Sequence, residues 1–180
     1  MSLKYHFEML AAYNQLINAK VYAAASRLSA IELCKDRSAF FSSILGTLNH
    51  LIVGDTIWLK RFATHPSSST ALNAVADLPS PIGLDQIIFN DLSCLSEHRT
   101  WLDQQIINWV TQLPSSDLDS FLSYYSTQGV PSQKQYSSLI LHFFNYQTHH
   151  RGRVSAVLSQ AGEHIDMTGL LALIPQEAYV

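Results

Sequence analysis

LKYHFEMLAAYNQLINAKVYAAASRL, residues 3–28, decides the fold class. Leu3, Phe7, Leu10, Asn14, Ile17, Val21, Ala24 and Leu28 recur at alternating steps of four and three, which puts them on one stripe of an α-helix. Asn14 is the only strongly polar member of the stripe; it is expected to point inward and to fix packing register, the other reading being that it serves a site. Ser29-Ala30-Ile31-Glu32 has the form of a capping box, so a short second turn of helix is expected just after it.

Outward from this segment the same period returns three times. Phe40, Ile44, Leu48, Leu51, Asp55, Trp58 and Phe62 predict a helix over 40–62. Between His65 and Gly83 the composition shifts to Ser, Pro and Ala, and Pro66, Pro79 and Pro81 break any continuous helix, so a long crossover is expected there. Ile88, Leu92, Leu95, Leu102, Ile106, Trp109 and Leu113 predict a third helix over 84–113, stopped by Pro114. The run FLSYYSTQGVP, residues 121–131, carries the only strand signal and allows a small hairpin. Ser132-Gln133-Lys134-Gln135 repeats the capping-box pattern, and Leu139, Phe143, Tyr146, His150, Val154, Val157 and Ala161 then predict a fourth helix ended by Gly162. Helices with one apolar stripe each bury it against one another, so the expected fold is an all-α four-helix bundle with a long crossover, read as a single domain over 1–180.

Composition agrees with a packed domain and excludes several functions. With 47% hydrophobic and 14% charged residues the chain has apolar surface to bury and too few charges for a solvated, disordered polymer. A net charge of −3 and an isoelectric point near 6.2 lack the cationic excess that drives nucleic-acid affinity, so no nucleic-acid partner is expected. Cys34 and Cys94 have no zinc-finger spacing and are read as buried, inert thiols. The longest charge-free stretch, Ser38 to Gly54, contains Asn49, His50 and several serines and makes a poor membrane span. No apolar run followed by a cleavage site opens the chain, so a cytoplasmic location is expected.

Chemistry is expected at two places. On the second helix His50 has Gly46 and Gly54 one turn to either side, a notch with room for an ion and a small ligand; the other reading of His50 is a hydrogen-bonded interior residue. On the fourth helix His142, Tyr146 and His150 follow at four-residue steps on one face. Neighbours in that series can share an ion, whereas His142 and His150 stand about 12 Å apart along the axis and cannot. The remaining histidines, His65 among them, read as surface or capping residues.

The strings MLAAYNQLINAKVY (9–22), GTLNHLIVGDTIWLKRF (46–62) and LHFFNYQTHHRGRVSAVLSQAG (141–162) together resemble the DinB family. The resemblance implies a DinB-like bundle holding a divalent metal, zinc or nickel, through one histidine of the second helix and an i, i+4 pair of the fourth. Carried over, the ligands fall on His50, His150 and Tyr146, and at Tyr146 the chain departs from the family string FNHQTHHRG by reading FNYQTHHRG. A phenol must lose a proton of pKa near 10 to ligate well. Three outcomes stay open: Tyr146 ligates as phenolate, it hydrogen-bonds a metal-bound water while His50 and His150 hold a weaker ion, or no metal is held. Weakened or lost binding is the expected one, with His142 and His149 less well placed as substitutes. The resemblance further implies a metal-dependent enzyme of the thiol-dependent transferase or hydrolase type, acting on a small molecule with a low-molecular-weight thiol, and a homodimer. The alternative is a non-catalytic dimeric bundle, a stress-response or binding protein with a weakened or empty metal pocket. Asp55 is expected to make a polar contact within the bundle, and Arg151 to pair with a carboxylate on the helix surface.

Overall fold

The computed structural model describes residues 2–68, 70–166 and 169–176; the expected domain extent of 1–180 runs past these at both ends. The chain is mostly helical with one small antiparallel sheet. The long helices are α1 (Leu3–Ala25), α3 (Ile44–Phe62), α5 (Leu92–Gln112) and α6 (Tyr136–Gln160), and the short ones are α2 (Ala30–Cys34) and α4 (Asn73–Ala76). α1 packs on α5 and α6, and α3 packs on the same two, which closes a ring of contacts around the core. Phe62 stacks on Trp109 at 4.8 Å and meets Phe143 edge-on, so α3, α5 and α6 join through rings that are fully buried. Each such side chain contributes about 1.5–3 kcal/mol by leaving water.

The first helix follows its stripe closely. Phe7, Asn14, Ile17, Val21 and Ala24 are buried, and Ser2 caps the start by accepting from the Tyr5 amide. Ser29 caps α2 by accepting from the Glu32 amide, as half of a capping box; the Glu32 carboxylate turns instead to Lys35 and Arg37. α6 ends as expected, with Gly162 in the left-handed region at φ +85°.

Three expected boundaries move, each for a local reason. Phe40 and Phe41 precede the second long helix, because Ser38 and Ser42 adopt positive φ and Ser43 caps α3 through the Gly46 amide; Phe40 is 82% exposed. α5 begins at Leu92 and not at 84, because Asn49 captures the preceding chain in a non-helical course. Its Oδ1 accepts from the Ile88 and Phe89 amides, its Nδ2 donates to the Phe89 carbonyl, and Asp91 then caps Cys94. The second capping-box pattern is not a cap. Pro131–Gln135 forms β2, paired antiparallel with β1 (Phe121–Tyr125) with Lys134 opposite Leu122, and α6 starts at Tyr136 without a side-chain cap.

The connection over 63–91 is tied down along its length. Lys60 donates to the carbonyls of Ala76 at 2.6 Å and Leu78 at 2.5 Å. Ser68 is buried between the Trp109 indole N–H and the Tyr136 hydroxyl. His65, expected as a surface or capping residue, is buried: it stacks on Tyr136 at 4.3 Å and bonds Ser67 and Ser120. Cys34 and Cys94, expected buried, are exposed, and Asp91 beside Cys94 raises its thiol pKa. No helix among the described residues is long and apolar enough to cross a membrane.

Candidate functional site: a tyrosine among two imidazoles

α3 and α6 bring His50, Tyr146 and His150 onto one point. The Nδ1–H of His50 donates to the Leu84 carbonyl at 2.7 Å, because a carbonyl can only accept; Nε2 is thereby left with its lone pair toward α6. The Tyr146 hydroxyl donates to that lone pair at 2.5 Å, and His150 Nε2 lies 3.4 Å from it. Phe41 stacks flat on His50, ring centroids 3.7 Å apart, and closes the cluster from the side of the loop before α3.

The glycines beside His50 are there for close approach, and the notch is filled. A side chain at Gly46 would run into the Phe41 backbone carbonyl. One at Gly54 would lie 2.7 Å from the Tyr146 ring. The space expected to admit an ion and a ligand therefore holds the loop on one side and the phenol on the other.

Burial keeps all three groups uncharged. Desolvation lowers the pKa of His50, and at His150 desolvation, then repulsion between its protonated form and His50, Arg153 and His149, brings it down to about 4. Burial followed by the Asp55 charge pushes the Tyr146 phenol well above its usual value. An imidazole held neutral in the fold but free to charge in the unfolded chain subtracts stability in acid. The contribution is complete above the ordinary pKa near 6.5 and is lost as pH falls from there toward 4. In chelated protein, urea unfolding should show roughly 1 kcal/mol less stability at about pH 5 than at about pH 7 from this residue, discounted for solvent screening. His150→Gln should flatten that difference; an unchanged slope would show that the ring is charged or solvated in the fold.

Below the cluster lies an ionic network drawn from all the long helices. Arg99 of α5 donates to Asp55 of α3 at 2.5 Å and pairs with Asp103 at 2.8 Å. Asn14 and Asn18 of α1 donate to Asp103, and Arg151 of α6 donates to the Asn14 carbonyl oxygen. Asn14 points inward as expected, bonded to Asp103 and Arg151, and Asp55 makes the expected internal polar contact. Arg151 is a correction: it is buried, lies over the Tyr13 ring at 5.4 Å and bonds an amide rather than a surface carboxylate. Burial raises Asp55 to about 6 against the opposing pull of Arg99.

The donor set does not fit a three-ligand ion centre. Two imidazole nitrogens 3.4 Å apart match the edge of a coordination tetrahedron with bonds of about 2.1 Å. The phenol does not match: at 2.5 Å it is closer to Nε2 than two ligands of one ion stand, and it donates a proton to the lone pair an ion would need. Nδ1 of His150 is buried without a partner, so it also lacks the outer hydrogen bond that orients a metal-ligating histidine. Among the described residues no group of three or more His, Cys, Asp or Glu is placed to hold a metal. His142 packs edge-on against Trp58, and His149 lies exposed against the rim of His150. Leu84 and Phe41 escaped sequence reasoning because a backbone carbonyl and a folded-back loop leave no periodic signal.

Two separate helices thus deliver two imidazoles and a phenol to one buried point, in a chain that is otherwise mostly α-helix. A family model for the DinB family matches residues 1–177, and the chain belongs to that family. Comparison with curated proteins and with solved structures gave no match in either case.

Proposed function

We propose that this chain is a small-molecule-binding member of the DinB family, a four-helix bundle in which a hydrogen-bonded Tyr146–His50–His150 cluster replaces the ion site. The observation that carries the reading is the hydrogen bond from the Tyr146 hydroxyl to His50 Nε2, 2.5 Å from oxygen to nitrogen. That contact satisfies the lone pair an ion would require, and it leaves the phenol oxygen with acceptor capacity for a ligand. Neutral groups of this kind orient a bound molecule without strong charge.

Elemental analysis of protein purified without a histidine tag tests the reading. Zinc and nickel should each fall well below one equivalent per chain, and near-stoichiometric metal would overturn the proposal.

A second reading is supported by the 3.4 Å separation of the imidazoles and by the Leu84 carbonyl holding His50 in a ligating tautomer. On it, His50 and His150 hold a divalent ion for a thiol-dependent transfer or hydrolysis. It requires metal uptake that His50→Ala and His150→Ala each abolish.

A further inference from the structure

Arg61 carries a charge that no carboxylate answers. Its guanidinium lies 4.7 Å from the centre of the Trp58 ring and 5.1 Å from that of Tyr124, and no acidic side chain among the described residues pairs with it. Its neighbour Lys60 differs, because the Lys60 ammonium is engaged by the Ala76 and Leu78 carbonyls. Arg61 is half-buried, and the loss of water lowers its pKa; its field adds to the burial that lowers His142. Stacking on rings fixes the plane of a guanidinium while its edge keeps N–H donors for a planar oxyanion.

Arg61 shares a cavity of about 240 Å³ with Gly54, Trp58, Leu84, Thr127 and Tyr146. That volume is below the roughly 300 Å³ at which pockets for drug-sized ligands begin, so the occupant is small. Two further cavities, of about 320 and 810 Å³, also have Arg61 in their linings and leave an approach from solvent. Trp58 and Leu84 offer apolar surface. The Tyr146 hydroxyl spends its one hydrogen on the bond to His50, so toward a ligand it can only accept.

We propose that this cavity binds a small organic acid, with its carboxylate on Arg61, its apolar body against Trp58 and Leu84, and a hydroxyl or amine donating to the Tyr146 oxygen. The proposal rests on the reading of the site as a small-molecule pocket and names the class of molecule it takes. A carboxylate supplies the charge Arg61 lacks, and a donor at the other end matches the one polarity the phenol has left. Arg61 sets specificity for acids and takes no part in any bond change.

Calorimetric titration of the untagged protein with 3-hydroxybenzoate, 3-hydroxybenzamide and benzoate tests it. The hydroxy acid should bind saturably and at least about tenfold more tightly than the neutral amide. Arg61→Gln should bring the acid down to the level of the amide, and Arg61→Lys, which keeps charge but loses the planar fork, should restore part of the preference. Tyr146→Phe should narrow the gap between hydroxybenzoate and benzoate while leaving acid over amide intact. Equal affinity for acid and amide in the wild type, binding of neither up to about 20 mM, or full affinity in a folded Arg61→Gln protein would each overturn the proposal. The wild-type ratio needs no variant to fold. Loss of the acid preference in metal-free protein defeats this inference alone, whereas stoichiometric metal defeats the metal-free reading alone.

Discussion

Arg99→Leu is expected to remove about 3–5 kcal/mol of folding stability, a large part of the roughly 5–15 kcal/mol that holds a domain together. The cause is not lost attraction but stranded charge. Arg99 lies between Asp55 and Asp103 with almost no exposure, and without it Asp55 loses its ion-pair partner while Asp103 keeps only the Asn14 and Asn18 amides. Two buried carboxylates would then face each other, and both would take up protons more readily in the fold than in the unfolded chain. A carboxyl whose folded pKa is raised is most favourable to folding below its ordinary value near 3.9 and loses that advantage as pH rises through the folded value. The deficit of the variant relative to wild type should therefore shrink between about pH 8 and pH 5, as measured by urea unfolding of both proteins. A double variant, Arg99→Leu with Asp55→Leu, should recover part of the loss, because an apolar pair replaces the stranded carboxylate. A deficit below about 1 kcal/mol with no pH dependence would mean that water reaches these groups.

Tyr146→His is expected to give a protein that retains about one equivalent of zinc or nickel through gel filtration, and more than the wild type retains. The geometry supplies most of what such a site needs already. His50 is fixed in the tautomer that offers Nε2, and His150 stands one tetrahedral edge away. Replacing the phenol removes the proton donated to Nε2 and places a third nitrogen on the same helix face, one turn before His150. Three neutral imidazoles leave an ion with an open position, the arrangement of reactive rather than purely structural zinc. Metal uptake by the variant should release few protons, because burial keeps His50 and His150 neutral already. A variant that folds and takes up no metal would show that the partnerless Nδ1 of His150 matters more than the identity of residue 146.

The four long helices were legible because a stripe of period 3.6 cannot be buried any other way; α6 follows its stripe nearly to the residue, and α1 buries the middle of its own while Leu3 stays exposed and Leu28 lies past its end. Their edges were legible only where capping chemistry is local. Ser29 and Gly162 act as their types suggest, whereas Ser132 and its neighbours were claimed by a hairpin that a cap motif cannot distinguish from its own start. The false extension of the third helix through Ile88 came from an apolar spacing that Asn49, far away in sequence, overrules with its side-chain amide. At the site, the residues that meet were readable as chemistry at helical spacing together with a family likeness. Their environment was not: Arg151 reads as a surface cation and lies inside, and nothing in the sequence singles out Arg61, which the fold sets beside two rings.

The proline-rich connection bears a consequence out of proportion to its irregular sequence. Three side chains of α3 fasten it: the Lys60 ammonium, His50 through the Leu84 carbonyl and Asn49 through Ile88 and Phe89, so it travels with that helix instead of swinging past it. An insertion or deletion beyond the buried Leu72 and Val75, close to Leu84, would be felt first as a rotated imidazole. What looks like slack tether is a calibrated spacer, and its length belongs to the chemistry of the pocket as much as any side chain does.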